Sequence, residues 1–126
     1  MIQIEFNNQT KFRLPRARVK NLLELAAKMI KQNGKQAISF AFVGPAEIKK
    51  INKQYRGQDK VTDVLSFEQG DDFAFDDSLG EIIICPARAE KQAKEFANNY
   101  TKEVLRLSLH GYLHLKGFDH VKIKEA

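Results

Sequence analysis

The stretch GEIIIC (residues 80–85) is the part of this 126-residue chain that decides its fold class. Three isoleucines and a cysteine follow one another with no polar residue between them. A strand with one face in water alternates apolar and polar side chains, whereas a strand that is covered on both faces has a short continuous apolar run. The segment therefore predicts a strand that is buried on both of its faces.

The segments around this strand alternate between strand and helix patterns. Further strands are predicted where apolar residues alternate within short runs, at IQIEF (2–6), ISFAFV (38–43) and VLSFE (64–68). YRGQDKVTD (55–63) predicts a loop. Four helices are predicted from residues 15, 45, 86 and about 100. The first three begin at a proline, which is favoured in the first helical turn.

The first helix has an apolar face that includes Leu23 and Met29, and it should end at Gly34. The last helix should end at about Lys116. The resulting order, β-α-β-α-β-β-α-α, predicts an α+β fold in which a small mixed sheet of about four strands packs with helices. We expect residues 1–126 to form one domain.

Composition indicates an ordinary water-soluble class of protein. Apolar residues make up 43% of the chain and charged residues 29%. No apolar run approaches the roughly 20 residues that span a bilayer, and MIQIEFNNQT (1–10) lacks the pattern of a secretory signal. A single cysteine, Cys85, excludes an internal disulfide. We therefore expect a cytoplasmic protein with no membrane and no disulfide partner.

Charge is unevenly distributed along the chain. Residues 1–66 contain 13 Lys or Arg and 5 Asp or Glu, a net charge of +8, whereas residues 67–126 contain 8 and 11, a net charge of −3. A basic half can attract a polyanion such as RNA, because each neutralised phosphate releases condensed counterions. The alternative is that these cations only form the solvated faces of helices.

The segment HGYLHLKGFDH (110–120) contains all three histidines, at positions i, i+4 and i+10. His110 and His114 lie one helical turn apart and can point at one ion. Gly117 can adopt the left-handed conformation that reverses the chain toward His120. Three neutral imidazoles leave a fourth position open, which is typical of a catalytic zinc site, although other transition metals also suit histidine. Structural or solvated histidines are the alternative interpretation.

The same ligand spacing occurs in the zinc-peptidase helix H-E-x-x-H-x-x-G-x-x-H, but Gly111 stands where that helix has its catalytic glutamate. Phosphodiester hydrolysis fits such a site better, because a metal and a cation can share the stabilisation of charge on the phosphate. Arg56 and Arg106 are the candidates for that cation, and Arg106 can instead pair with Glu103. Asp119 is a candidate for a hydrogen bond to a ligating histidine.

Three segments carry a resemblance to a known family. HGYLHLKGFDH resembles the H-G-x-L-H-L-x-G-x-D-H signature of the YbeY family of bacterial metal-dependent endoribonucleases. NKQYRGQDKVTDVLSFE (52–68) is similar to the family's N-x-x-Y-R…T-D-V-L-S-F-P segment, and LGEIIIC (79–85) to its L-G-D-I-x-I-S strand. Glu68 and Glu81 replace the proline and the aspartate that are usual in the family.

This resemblance implies a zincin-like α/β fold with the metal site on the last long helix. It implies one Zn²⁺ per chain, held by His110, His114 and His120, and a catalytic role for Arg56. It also implies a single-strand-specific endoribonuclease of 16S rRNA 3′ end maturation and ribosome quality control. Its partners would be an rRNA precursor and a ribosomal subunit or ribosomal protein.

We therefore predict a metal-dependent endoribonuclease that acts on single-stranded RNA. Two alternatives remain open at this point. One is a peptidase-like hydrolase of the zincin type, which shares the ligand spacing but would lack its glutamate. The other is an RNA-binding ribosome-assembly factor in which the metal only stabilises the fold.

Overall fold

The computed structural model describes residues 2–31, 34–68 and 78–117. The elements follow the predicted order: β1 (Ile2–Asn8), α1 (Arg16–Met29), β2 (Gln36–Phe42), α2 (Pro45–Arg56), β3 (Val64–Glu68), β4 (Ser78–Ile84), α3 (Pro86–Glu95) and α4 (Tyr100–Leu115). The strand VLSFE has its predicted bounds. Because α2 extends through Arg56, the prediction of a loop from residue 55 is wrong by two residues.

The four strands form one mixed sheet in the order β1-β2-β4-β3, as the α+β prediction requires. β2 pairs in parallel with both β1 and β4, while β3 runs antiparallel to β4 at the sheet edge. The register between β2 and β4 shifts beside Ala37, where Leu79 is an extra residue. Gly80 follows with a φ of 142°, a backbone conformation that glycine tolerates best.

The strand β4 is buried on both faces, as its continuous apolar run predicts. Ile82 and Ile84 face one hydrophobic cluster, which α1 and α4 cover together with Phe40 of β2. Ile83 faces the opposite way, into a second cluster that contains Ile48 of α2. Successive side chains of a strand point to opposite faces, so only an unbroken apolar run can supply both cores.

The helix α1 buries Leu23 completely but leaves Met29 76% exposed, so the predicted apolar face is wrong at its end. Met29 is the last helical residue, and Lys31 has a positive φ of 58°, where the chain turns. The helix therefore ends before the predicted Gly34. No helix within the described ranges combines the length and the apolar character that crossing a bilayer requires.

The helix α4 lies very close to β4, and Gly111 makes this approach possible. A Cβ atom at Gly111 would lie 3.0 Å from Cδ1, 3.1 Å from Cγ2 and 3.2 Å from Cγ1 of Ile82. Ile82 is itself fully buried. Because these distances are shorter than ordinary carbon contacts, a side chain at position 111 would require Ile82 or α4 to shift by a few tenths of an ångström.

We expect Gly111→Ala to destabilise the protein by about 1 kcal/mol, although alanine is a better helix former. Overpacking a filled core costs about 1–3 kcal/mol, and the gain in helix propensity offsets about 1 kcal/mol of it. Ile82→Val removes the nearest carbon, so the same glycine substitution should cost less in that background. Urea unfolding of the four proteins measures this coupling, and strictly additive losses would contradict the packing argument.

Candidate functional site

The N-terminus of α4 is fixed by Asn99, whose side chain accepts a hydrogen bond of 2.8 Å from the backbone N–H of Lys102. Three turns further along, His110 and His114 lie one helical turn apart on the same side of α4. Both histidines line one open pocket of about 360 Å³. The two predicted ligands that the structure describes are therefore brought together.

The pocket lies at the β3 edge of the sheet. There α4, which packs on one sheet face, meets α2, which packs on the other. Residues of α2, of β3 and of the loop between them line the rest of the pocket: Asn52, Arg56, Gln58, Lys60, Thr62, Val64, Leu65 and Ser66. The site is thus composed of a helix and an edge strand that are joined by a short loop, together with α4, which is distant from both in sequence.

Gly117, just past the end of α4, has the positive φ that was predicted for it. Gly117 has a φ of 92°, and its N–H donates a 3.0 Å hydrogen bond to the carbonyl oxygen of His114. An L-residue with a side chain would be strained in this conformation. The third predicted ligand, His120, and its neighbour Asp119 lie outside the described residues.

The donor set on α4 suits a transition metal that prefers nitrogen, such as zinc. His110 and His114 place two imidazoles one turn apart at an open pocket, which is the arrangement that a shared ion requires. Among residues 2–31, 34–68 and 78–117, no cluster of three His, Cys, Asp or Glu completes a site. The third ligand of a full set would therefore come from outside these ranges, where the predicted ligand His120 lies. Cys85 is fully buried away from the pocket, and burial raises the pKa of its thiol.

Arg56 is the arginine that lines the pocket. It occupies the last turn of α2, which ends because Gly57 adopts a φ of 69°. Its Nη2 donates a 2.7 Å hydrogen bond to the carbonyl oxygen of Ser66, and its Cζ lies 5.3 Å from the ring centroid of Phe67. The guanidinium is therefore held by β3 in a fixed place, while its side of the pocket stays open to solvent.

Asn52 is a pocket residue to which the sequence analysis gave no role. It is only 4% exposed, and its Nδ2 donates a 3.1 Å hydrogen bond to the carbonyl oxygen of Lys60. The backbone carbonyl oxygen of Asn52 accepts a hydrogen bond of 3.3 Å from the backbone N–H of Gln58. Asn52 therefore ties the loop after α2 back onto the helix. The signal that was available is a polar residue on the buried face of α2, one turn before Arg56.

Arg106, the other candidate cation, forms a structural ion pair and does not line the pocket. Its Nε and Nη2 donate to the two carboxylate oxygens of Glu103 at 2.9 and 2.7 Å. Glu103 is 5% exposed, and its hydrogen bond is the main reason why the pKa of Arg106 is raised. Asp63 lies 4.0 Å from the same guanidinium. With its amide nitrogen turned toward them, Gln92 of α3 donates to both carboxylates.

Sequence comparison finds a family that matches nearly the whole chain. A profile of the family described as Endoribonuclease YbeY matches residues 3–126. A relative from Finegoldia magna, named Endoribonuclease YbeY, is 49% identical over 85 residues, which are 67% of this chain and 56% of the relative. A relative of the same name from Macrococcus caseolyticus is 45% identical over 109 residues, 82% of this chain and 71% of the relative. The chain thus spans little more than half of the Finegoldia magna protein.

Structural comparison finds the same fold in a protein of known structure. The solution structure of TM1509 from Thermotoga maritima matches with a TM-score of 0.60 and 37% sequence identity. The match covers 95% of this chain and 75% of that protein. The similarity extends over the sheet and its helices, so the arrangement described above is shared with a solved structure.

We expect Arg106→Ala to lower the free energy of unfolding by about 1–3 kcal/mol, because it leaves the carboxylate of Glu103 buried without its cation. Adding Glu103→Gln should recover part of the loss by removing that charge. Lys94→Ala is the matched control: its exposed pair with Glu90 is 4.0 Å long and should contribute about 0.5 kcal/mol or less. Equal losses for Arg106→Ala and Lys94→Ala in urea unfolding would refute the structural role.

Proposed function

Since the chain belongs to the YbeY family, we propose that it is a metal-dependent endoribonuclease that hydrolyses phosphodiester bonds of single-stranded RNA. The observation that carries this proposal is the convergence of Arg56, His110 and His114 on one pocket. The relatives named Endoribonuclease YbeY support the same reaction. We extend the proposal to an rRNA precursor as substrate, with 16S rRNA 3′ end maturation on the ribosomal subunit in the cytoplasm.

Three histidines would hold the metal, most suitably one zinc ion: His110 and His114 from α4, and His120 from the segment that follows Gly117 in the sequence. When bound, zinc supplies Lewis acidity toward a phosphoryl oxygen and toward water. The imidazoles must be neutral to act as ligands, and Asp119 is suited to accept a hydrogen bond that fixes a ring nitrogen as donor.

Arg56 supplies the positive charge that the reaction needs in the pocket that His110 and His114 also line. Hydrolysis of a phosphodiester adds negative charge to the phosphate oxygens in the transition state. The guanidinium can offer two parallel N–H donors to these oxygens. Because Ser66 and Phe67 already hold it, little reorganisation is required when the substrate arrives.

The packing of α4 argues against the peptidase alternative. A glutamate after the first histidine would place its Cβ 3.0 Å from Ile82, so the usual peptidase base would require Ile82 or α4 to shift. The assembly-factor alternative needs neither an open pocket beside the histidines nor an arginine held toward it. Exposed lysines on α2, Lys49, Lys50 and Lys53, favour a polyanionic substrate.

We expect His114→Ala to abolish both metal binding and RNA cleavage, because it removes a ligand. The wild-type protein should contain about one transition-metal ion per chain, measured by elemental analysis after gentle purification. Lys102→Ala, an exposed substitution on the same helix, is the control and should retain both properties. A wild-type protein that takes up no zinc would contradict the metal site. A His114→Ala protein with normal metal content would exclude this histidine as a ligand.

We expect Arg56→Ala to retain the metal but to lower kcat/KM for single-stranded RNA by about 10²–10³-fold, the usual effect of losing a charge stabiliser. Arg56→Lys should recover only part of the activity, because an ammonium keeps the charge without the planar pair of donors. Arg18→Ala, which changes an exposed arginine of α1 outside the pocket, is the control. Full activity of metal-loaded Arg56→Ala would remove Arg56 from the reaction.

A further inference from the structure

Tyr55 is a large aromatic residue that the fold leaves 63% exposed. It lies in the last turn of α2, directly before Arg56. Of the described tyrosines, Tyr112 is completely buried and donates to Gln36, and Tyr100 is partly buried and donates to the carbonyl oxygen of Arg13. An exposed aromatic ring costs solvation free energy without contributing to the core. What distinguishes Tyr55 from other exposed apolar residues is its place directly before Arg56, which lines the pocket.

The ring of Tyr55 is held in position by its neighbours. Its centroid lies 5.6 Å from that of Phe67, with the two rings at 67° to each other in an edge-to-face contact. Phe67 in turn lies under the guanidinium of Arg56 at 5.3 Å, and Arg56 is bound to Ser66 in the pocket wall. Tyr55, Phe67 and Arg56 thus form a continuous row, which we call the aromatic row, that leads from the surface to the pocket.

We propose that Tyr55 is a stacking platform for a nucleobase of the single-stranded RNA whose scissile phosphate lies at Arg56. This inference rests on the proposed function. A nucleotide carries its negative charge on the phosphate and a flat π surface on the base. The aromatic row offers a partner for each of them, the cation of Arg56 at the pocket and the exposed ring of Tyr55 at the surface. Stacking on tyrosine tolerates any base, so it fits an enzyme that selects strandedness before sequence.

Tyr55 then provides a physical reason for a preference for single strands. Bases in a duplex are already stacked and paired with each other, and they cannot move onto a protein ring without breaking those contacts. A flexible strand can place its phosphate at Arg56 and a neighbouring base on Tyr55 at the same time. The pocket alone, lined by histidines and an arginine, recognises phosphate and does not discriminate between the two forms.

The experiment compares metal-loaded wild type, Tyr55→Ala and Tyr55→Phe for binding of a fluorescein-labelled single-stranded RNA, with stopped-flow anisotropy read before the first turnover. We expect Tyr55→Ala to weaken binding by roughly 5- to 150-fold, the range given by loss of one base–aromatic stack. Tyr55→Phe keeps the ring and should bind like wild type. Phe96→Ala, which removes a 78% exposed ring at the end of α3, is the matched control and should have no effect.

A series of RNAs with one abasic nucleotide at successive positions makes the test specific. At one position the missing base should weaken binding to wild type, and Tyr55→Ala should add no further loss there. In cleavage assays, Tyr55→Ala should raise KM for single-stranded RNA while kcat and the rate on duplex RNA change little.

Two outcomes would overturn the proposal. One is that Tyr55→Ala binds the RNA as tightly as wild type. The other is that Tyr55→Ala weakens the binding of every abasic RNA by the same factor, which would mean that the ring only supports Phe67 and Arg56. If wild type binds RNA but does not cleave it, the proposed nuclease function fails, while the Tyr55 comparison still decides the stacking role. If wild type binds no RNA, both proposals fail together.

Discussion

The close contact between Gly111 of α4 and Ile82 of β4 is the constraint on which the rest of the site depends. It brings the helix axis near the sheet and thereby sets how far His110 and His114 stand from β3 and α2. The contact lies against β4, a central strand of the sheet that is buried on both faces. A shift of α4 by the width of one methyl group would move both imidazoles relative to Arg56.

Two arginines of the same chain illustrate how the environment assigns a role. Arg106 pairs with the buried Glu103 within α4, and Gln92 of α3 and Asp63, just before β3, contact this pair. Arg56 stands at the end of α2 and is held by a backbone carbonyl and a ring, neither of which neutralises its charge. Only the second arrangement leaves a full positive charge available to a substrate phosphate.

Much of this fold follows from patterns that are local in the sequence. The continuous run of β4, the bounds of β3 and the left-handed conformation of Gly117 depend on neighbours within a few residues, and the sequence predicts them correctly. The end of α1 is less predictable: its apolar pattern continues through Met29, but the turn at Lys31 stops the helix there.

The remaining features depend on contacts between distant parts of the chain. From spacing alone, Gly111 can be recognised only as the position where the peptidase glutamate is missing. Its packing role depends on the side chain of Ile82, which a Cβ at Gly111 would contact and which is 29 residues away in the sequence. The choice between Arg56 and Arg106 likewise requires the position of β3. For the same reason Asn52 has no recognisable role until the loop that it binds is placed beside it.

The same geometry explains how a helix with the histidine spacing of a zinc peptidase can lack the catalytic base of a peptidase. In a peptidase helix the catalytic carboxylate comes from the residue after the first ligand, so the ligands and the base belong to one element. Here an added Cβ at that position would lie 3.0 Å from Ile82 of β4, so glycine fits it best, and the charged group of the pocket comes from another element. The end of α2 reaches the pocket from the opposite face of the sheet, and the group that it brings is a cation. A cation beside the histidines favours a substrate that gains negative charge during reaction, and it is of no use as a proton acceptor. The packing requirement at Gly111 and the preference for a phosphodiester therefore have one common cause, the position of α4 on the central strand.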